Sequence, residues 1–136
     1  MFPPATKFLI VDDMATFRAM VKQALGELGY ANVVEANDGE AGYQALLECQ
    51  NKQEPVDVAL VDWNMPHLNG LELLRRVRSL PWGERLPYVM ITSEAEIDKV
   101  KAAKKLDVTG YLLKPVTAQS ISTTLVKLYQ GLNRPA

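Results

Sequence analysis

Cysteine is almost missing from this 136-residue chain. Cys49 stands alone, which rules out an internal disulfide and fits a reducing compartment. Its place in an apolar helical pattern makes it a buried, inert thiol rather than a nucleophile. Charge of one sign is missing too: 15 basic against 16 acidic residues leave a net charge of −1. No bulk field therefore argues for nucleic acid or a membrane surface. No apolar run approaches membrane-spanning length, and Met1-Phe2-Pro3-Pro4-Ala5 lacks the charged-then-apolar layout of a secretion signal. Low complexity, repeats and linkers are absent as well. These absences leave a cytoplasmic globular domain, long enough for a single core.

Short apolar runs alternate with helical stripes. Lys7-Phe8-Leu9-Ile10-Val11, Val33-Val34-Glu35-Ala36, the run from Val56 to Val61, Tyr88-Val89-Met90-Ile91 and the run from Thr109 to Leu113 read as strands. Between them Phe17, Val21, Ala24, Leu25 and Leu28 recur at helical spacing, with Gly29 as a stop. Ala45, Leu46 and Cys49 stripe a second helix behind the turn Asn37-Asp38-Gly39. Leu71, Leu74, Val77 and the aliphatic stem of Arg78 line a third, and Trp82 to Arg85 reads as a surface connection. Glu94 to Leu106 carries a thin stripe, with Lys99, Lys101, Lys104 and Lys105 exposed, and Ile121, Leu125, Leu128 and Leu132 stripe the last helix. Five strand–helix units with short connections predict right-handed crossovers and helices on both faces of one sheet. The expectation is an α/β fold: a flavodoxin-like, doubly wound, five-stranded parallel sheet in the order 2-1-3-4-5, with five helices.

In such a sheet all strand C-termini share one edge, and the polar residues gather there. The first strand stops at Asp12-Asp13, the third at Asp62, the fourth at Thr92, and Lys114 leaves the fifth. Each has a plain explanation alone: a helix cap, a turn-closing Asp, a strand-end hydroxyl, a solvated lysine. Together they form a constellation. Carboxylates from neighbouring first and third strands repel one another unless a cation neutralises them, and a hard oxygen cluster suits Mg²⁺. Lys114 adds a second positive charge, and Thr92 adds a donor. A carboxylate nucleophile, a metal and donors for equatorial oxygens are what phosphoryl transfer to an aspartate requires.

These motifs resemble the response-regulator receiver family: Leu9-Ile10-Val11-Asp12-Asp13, Val61-Asp62-Trp63-Asn64-Met65-Pro66, Met90-Ile91-Thr92-Ser93-Glu94 and Gly110-Tyr111-Leu112-Leu113-Lys114-Pro115. The resemblance runs from about Lys7 to Leu132. It implies a phosphoacceptor of a two-component system rather than a turnover enzyme, with Asp62 taking the phosphoryl group from a sensor histidine kinase. It implies Mg²⁺ held by Asp13, Asp62 and the Asn64 carbonyl, with Asp12 helping through water. Thr92 and Tyr111 become the switch pair, Lys114 the phosphoryl contact through a cis Lys114-Pro115 bond, and Asn64 and Glu94 the tuners of phosphate lifetime. His67, the only histidine, has no metal or relay role in this scheme, because the acceptor is an aspartate.

The Asp62-to-Pro66 loop is similar to that of the single-domain chemotaxis branch, and the chain stops at Ala136 after its last helix. A single receiver domain, residues 1–136, without an output domain and monomeric, is expected. Its output partner, most readily the flagellar motor switch, would dock on the face of fourth helix, fifth strand and last helix, where Lys99, Lys101, Lys104, Tyr111 and Lys127 stand. A phosphatase is a further possible partner. Val116 departs from the family's usual Phe, the Gln50–Glu54 loop is longer, and Lys104 to Val108 replaces a small-residue segment; these changes bear on the partner more than on the chemistry. A phosphate sink, a phosphorelay intermediate, a regulator outside motility and an unphosphorylated interaction module remain alternatives. A phospho-aspartate phosphatase wants an acid where Asn64 stands, and a flavin phosphate would meet Asp12-Asp13.

Overall fold

The computed structural model describes residues 1–93 and 97–132, with residues 97–100 as backbone only. Glu94 and the side chain of Lys99 lie outside the described residues. The elements run β1 Phe8–Val11, α1 Ala15–Glu27, β2 Val33–Ala36, α2 Gly39–Asn51, β3 Val58–Asp62, α3 Gly70–Arg78, β4 Tyr88–Thr92, α4 Ile97–Lys105, β5 Gly110–Leu113 and α5 Ala118–Leu132. All pairings are parallel, as the alternation of elements predicts, and the sheet order is β2-β1-β3-β4-β5, the flavodoxin-like order expected.

Strand pleating sorts the core into two halves. Leu9, Val11, Ala59 and Val61 face α2 and α3, in the cluster completed by Leu46, Leu73, Leu74 and Val77. Phe8, Ile10, Val58 and Leu60 face the other way, onto Val21 and Leu25 of α1 and Ile121 and Leu125 of α5. The central strands are buried on both sides, which is why they read as unbroken apolar runs instead of alternating ones. A change such as Leu60→Ala, at a side chain with no solvent exposure, costs about 2–5 kcal/mol.

Two details differ from the sequence expectation. β3 begins at Val58, because the N–H groups of Asp57 and Val58 both turn to the Lys7 carbonyl, at 2.8 and 3.2 Å. The Trp82–Arg85 connection is not merely superficial: Gly83 and Leu86 are buried, and Trp82 packs against the core. Arg78 explains this. Its guanidinium, and not just its stem, is engaged, donating to the carbonyls of Gly83 (2.8 Å), Leu86 (2.8 Å), Leu106 (3.1 Å) and Asp107 (2.7 Å). A planar fork with five donors satisfies two loops that would otherwise leave buried carbonyls unpaired.

Candidate functional site

The site is assembled by strand register. Val11 pairs with Val61, so Asp12 just beyond β1 and Asp62 at the end of β3 leave the sheet side by side. Thr92 closes β4, and its carbonyl accepts the Lys114 N–H at 2.9 Å, which brings the residue after β5 to the same edge. The Lys114–Pro115 bond is cis, as the resemblance implied.

The loop after Asp62 is pinned at both ends. Trp63 N–H donates to the Ile91 carbonyl (2.9 Å), and Gly70 N–H donates to the Trp63 carbonyl (3.0 Å). A Cβ on Gly70 would stand 2.5 Å from the Asp62 carbonyl, so only glycine lets α3 begin this close. The Tyr88 hydroxyl, wholly buried, donates to the Gly70 carbonyl at 2.8 Å, and Asn69 with Glu72 forms a capping box at the helix start. Neither Tyr88 nor Asn69 stood out in the sequence. The Asn69-to-Glu72 spacing was the available signal for the second.

Oxygens of Asp12, Asp13 and Asp62 lie within 4.8 Å of one another. Asp12 and Asp62 are buried, 1% and 5% exposed, whereas Asp13 is open to solvent. Lys114 Nζ stands 3.6 Å from Asp12 Oδ2 and 3.6 Å from Asp62 Oδ1. Both distances exceed an ordinary N–H···O bond, so the ammonium is shared rather than bonded to either. It also lies over the Phe17 ring, 4.3 Å from the centroid.

Asp12 and Asp13 do not cap α1. Met14 stands at the N-cap of that helix and provides no side-chain cap, and Asp12 Oδ1 accepts the Met14 N–H at 2.8 Å instead. Asp12 Oδ2 is left buried with no hydrogen-bond partner. Burial pushes the Asp62 carboxyl up from its ordinary value to about 6, with the neighbouring Asp12 adding to the rise and Lys114 opposing it. Burial raises Asp12 as well, against the pull of the Met14 N–H and Lys114. Three carboxylates face one ammonium here, and a buried Asp12 oxygen whose only partner among the described residues is that shared ammonium points at the shortfall. An all-oxygen set of this kind fits a hard divalent cation such as Mg²⁺.

The remaining expected residues are placed as follows. Asn64 is exposed in the loop two residues past Asp62, Thr92 is buried, and Tyr111 is half-buried on β5. Lys101 and Lys104 are exposed on α4, and Lys127 is exposed on α5, away from the carboxylates. His67 is exposed with a left-handed φ of 67°. Val116 is buried against α5. Arg18 was overlooked: its Nη1 donates to the Asp12 carbonyl at 2.6 Å, while its Nε reaches Glu35 at 3.3 Å. Its only sequence signal is a place in the first turns of α1, close behind the Asp pair.

Comparison with known proteins agrees with this geometry. The family profile described as response regulator receiver domain matches residues 8–126. The chain is 39% identical over 127 residues to the chemotaxis protein CheY of Pseudomonas aeruginosa, covering 93% of this chain and 98% of that one. It is 38% identical over 126 residues to CheY-3 of Vibrio cholerae, covering 93% of each. A solved structure of Vibrio cholerae CheY4 superposes with a TM-score of 0.80 at 32% identity, over 91% of this chain and 98% of that one. A receiver domain from Clostridium thermocellum gives 0.81 at 28% identity, over 93% and 96%.

Proposed function

The chain belongs to the response-regulator receiver family, and from that membership we propose that it accepts a phosphoryl group on Asp62 from a sensor histidine kinase and signals by binding a separate partner. One observation carries the choice of acceptor. Asp62 is the buried carboxylate at the end of the central strand, with a cation at 3.6 Å and two further carboxylates beside it.

The chemistry follows from the residues. An Asp62 oxygen attacks phosphorus in line, the P–N bond to the kinase histidine breaks, and the leaving imidazole keeps the electron pair. An ionised carboxylate needs no base, so no histidine is required nearby. Asp12, Asp13, Asp62 and the Asn64 carbonyl are the groups to hold Mg²⁺, which when bound supplies positive charge against the carboxylates and the phosphoryl oxygens. Lys114 supplies charge to one phosphoryl oxygen and Thr92 a hydroxyl to another. Drawing those two groups inward changes β4 and β5 at their ends, and Tyr111 on β5 carries the change to the α4–β5–α5 face. Asn64 flanks the path of an attacking water and, with Glu94, sets how long the phosphate lasts. With Lys101, Lys104 and Lys127 exposed on that face, the partner we favour is the flagellar motor switch, in keeping with the chemotaxis relatives. We place the protein in the cytoplasm, acting as a single receiver domain; among the described residues no helix is long and apolar enough to cross a membrane.

The test is exposure of the purified protein to acetyl phosphate, read by intact mass. A phosphoryl adduct that needs Mg²⁺, disappears with EDTA and is absent in Asp62→Asn is expected. Undiminished labelling of Asp62→Asn would overturn the assignment.

A further inference from the structure

Lys114 reaches the carboxylates from the end of β5, on a flexible stem, and is paired with two of them at equal distance rather than held by one. At 3.6 Å from both Asp12 Oδ2 and Asp62 Oδ1, its ammonium stops short of a direct bond to either. A mobile lysine between two buried carboxylates should collapse onto one of them, since charge-assisted bonds are strongest at about 2.7–2.9 Å. Its third described contact is the Phe17 ring face, 4.3 Å from the centroid. The lysine side chain is 27% exposed, so it is largely withdrawn from water, where an ammonium–ring attraction counts most.

Phe17 is itself fixed. Its backbone N–H donates to the Met14 carbonyl at 3.1 Å in the opening turn of α1, and its side chain packs against the cluster between α1 and α5. The next residue, Arg18, ties the same turn to the Asp12 carbonyl. Ring and acid are thus mounted on one rigid turn.

We propose that Phe17 is a positioning residue for Lys114: the face of its ring holds the ammonium between Asp12 and Asp62, ready to turn to an incoming phosphoryl oxygen. This rests on the reading of Asp62 as phosphoacceptor and adds to it the group that keeps its lysine poised. Without the ring, Lys114 settles onto a carboxylate, neutralises the nucleophile and must be pulled off before it can serve the phosphoryl group. The ring's electrons matter here, and its bulk is secondary.

The experiment compares labelling rates with acetyl phosphate in wild type, Phe17→Leu, Phe17→Tyr and a series with one, two or three fluorines on the Phe17 ring. Fluorination keeps the shape and drains the face of negative potential. Labelling is expected to slow by about three- to tenfold in Phe17→Leu, to recover in Phe17→Tyr, and to fall stepwise with each fluorine. The Phe17→Leu effect should vanish in a Lys114→Met background. A flat fluorine series, or a Phe17→Leu effect that persists without Lys114, overturns the proposal and leaves a packing role. The Lys114 methylene resonances in NMR need no phosphodonor: a ring-current shift lost in Phe17→Leu is expected, and its absence from wild type sinks the idea. Failure of wild type to label on Asp62 would instead strike the phosphoacceptor reading.

Discussion

The two edges of the sheet hold similar residues to opposite effect. At the N-terminal edge, Lys7 Nζ meets the Glu54 carbonyl at 3.2 Å and its carboxylate at 3.6 Å, while Asp57 accepts the Lys7 N–H at 2.8 Å. These groups line a groove of about 400 Å³, yet Glu54 and Asp57 are exposed, the half-buried Lys7 is hydrogen-bonded to both their segments, and water screens the rest. At the C-terminal edge, Asp12 and Asp62 are buried around a single lysine that they share, and Asp12 Oδ2 has no hydrogen-bond partner among the described residues. A hollow lined with charges is therefore no sign of chemistry. Buried charge that the fold leaves unsatisfied is the sign, because it persists only where a ligand or a reaction needs it.

That contrast breaks most visibly on labelling. Asp62→Asn should abolish the acetyl phosphate adduct in intact mass, whereas Asp57→Ala at the opposite edge should leave it unchanged. Equal loss in both variants would mean the difference between edges is unrelated to phosphate.

Stability should split in sign. In EDTA at neutral pH, removing the Asp62 charge should stabilise the fold by up to about 3 kcal/mol, the equivalent of a carboxyl moved from 3.8 to about 6. Urea melts of Asp62→Asn would read this, and a destabilised variant would contradict the unsatisfied-charge account. Saturating Mg²⁺ at about 100 times its dissociation constant should raise wild-type stability by about 2.7 kcal/mol. A melting temperature indifferent to Mg²⁺ would tell against the carboxylate cluster as its site.

The pH dependence has a definite sign. A carboxyl held above its ordinary value binds its proton more tightly in the folded chain than in the unfolded one. Metal-free stability should therefore be highest below about pH 3.8 as far as Asp62 is concerned, fall as pH rises to about 6, and carry the full cost above that. Asp62→Asn should remove most of the slope, leaving the part due to Asp12; an unchanged slope would place its origin elsewhere. The smallest effects belong to the N-terminal edge. Asp57→Ala should cost about 1 kcal/mol through the lost Lys7 N–H bond, and Glu54→Gln less than about 0.5 kcal/mol, as an exposed pair implies. Larger values in thermal melts would erase the distinction between the edges.

Much of this was legible in the chain. The runs Phe8–Val11 and Val58–Val61 announce strands buried on both faces, and each stops at an aspartate, so the parallel sheet and the edge carrying Asp12, Asp62, Thr92 and Lys114 followed from pattern, while the strand order came from likeness to the flavodoxin-like fold. Arg78 was read as an apolar stem because helical spacing places it on the core face, yet spacing says nothing of what a guanidinium meets there. Its four carbonyls come from residues five to twenty-nine positions away. Phe17 belongs to the α1 stripe, as helical spacing implies; that its ring lies beneath Lys114 depends on where the fold sets α1 relative to the segment that follows β5.

By itself, the sequence determined the elements and the edge at which polar residues gather, because apolar periodicity is a local property that each segment expresses alone. Only the tertiary structure decided which charges are satisfied. Asp12, Asp13, Asp57 and Asp62 are one residue type flanking strands, and nothing local separates the two buried carboxylates from the exposed pair. Their fates diverge through partners remote in the chain, since burial and hydrogen bonding are set by where distant segments pack.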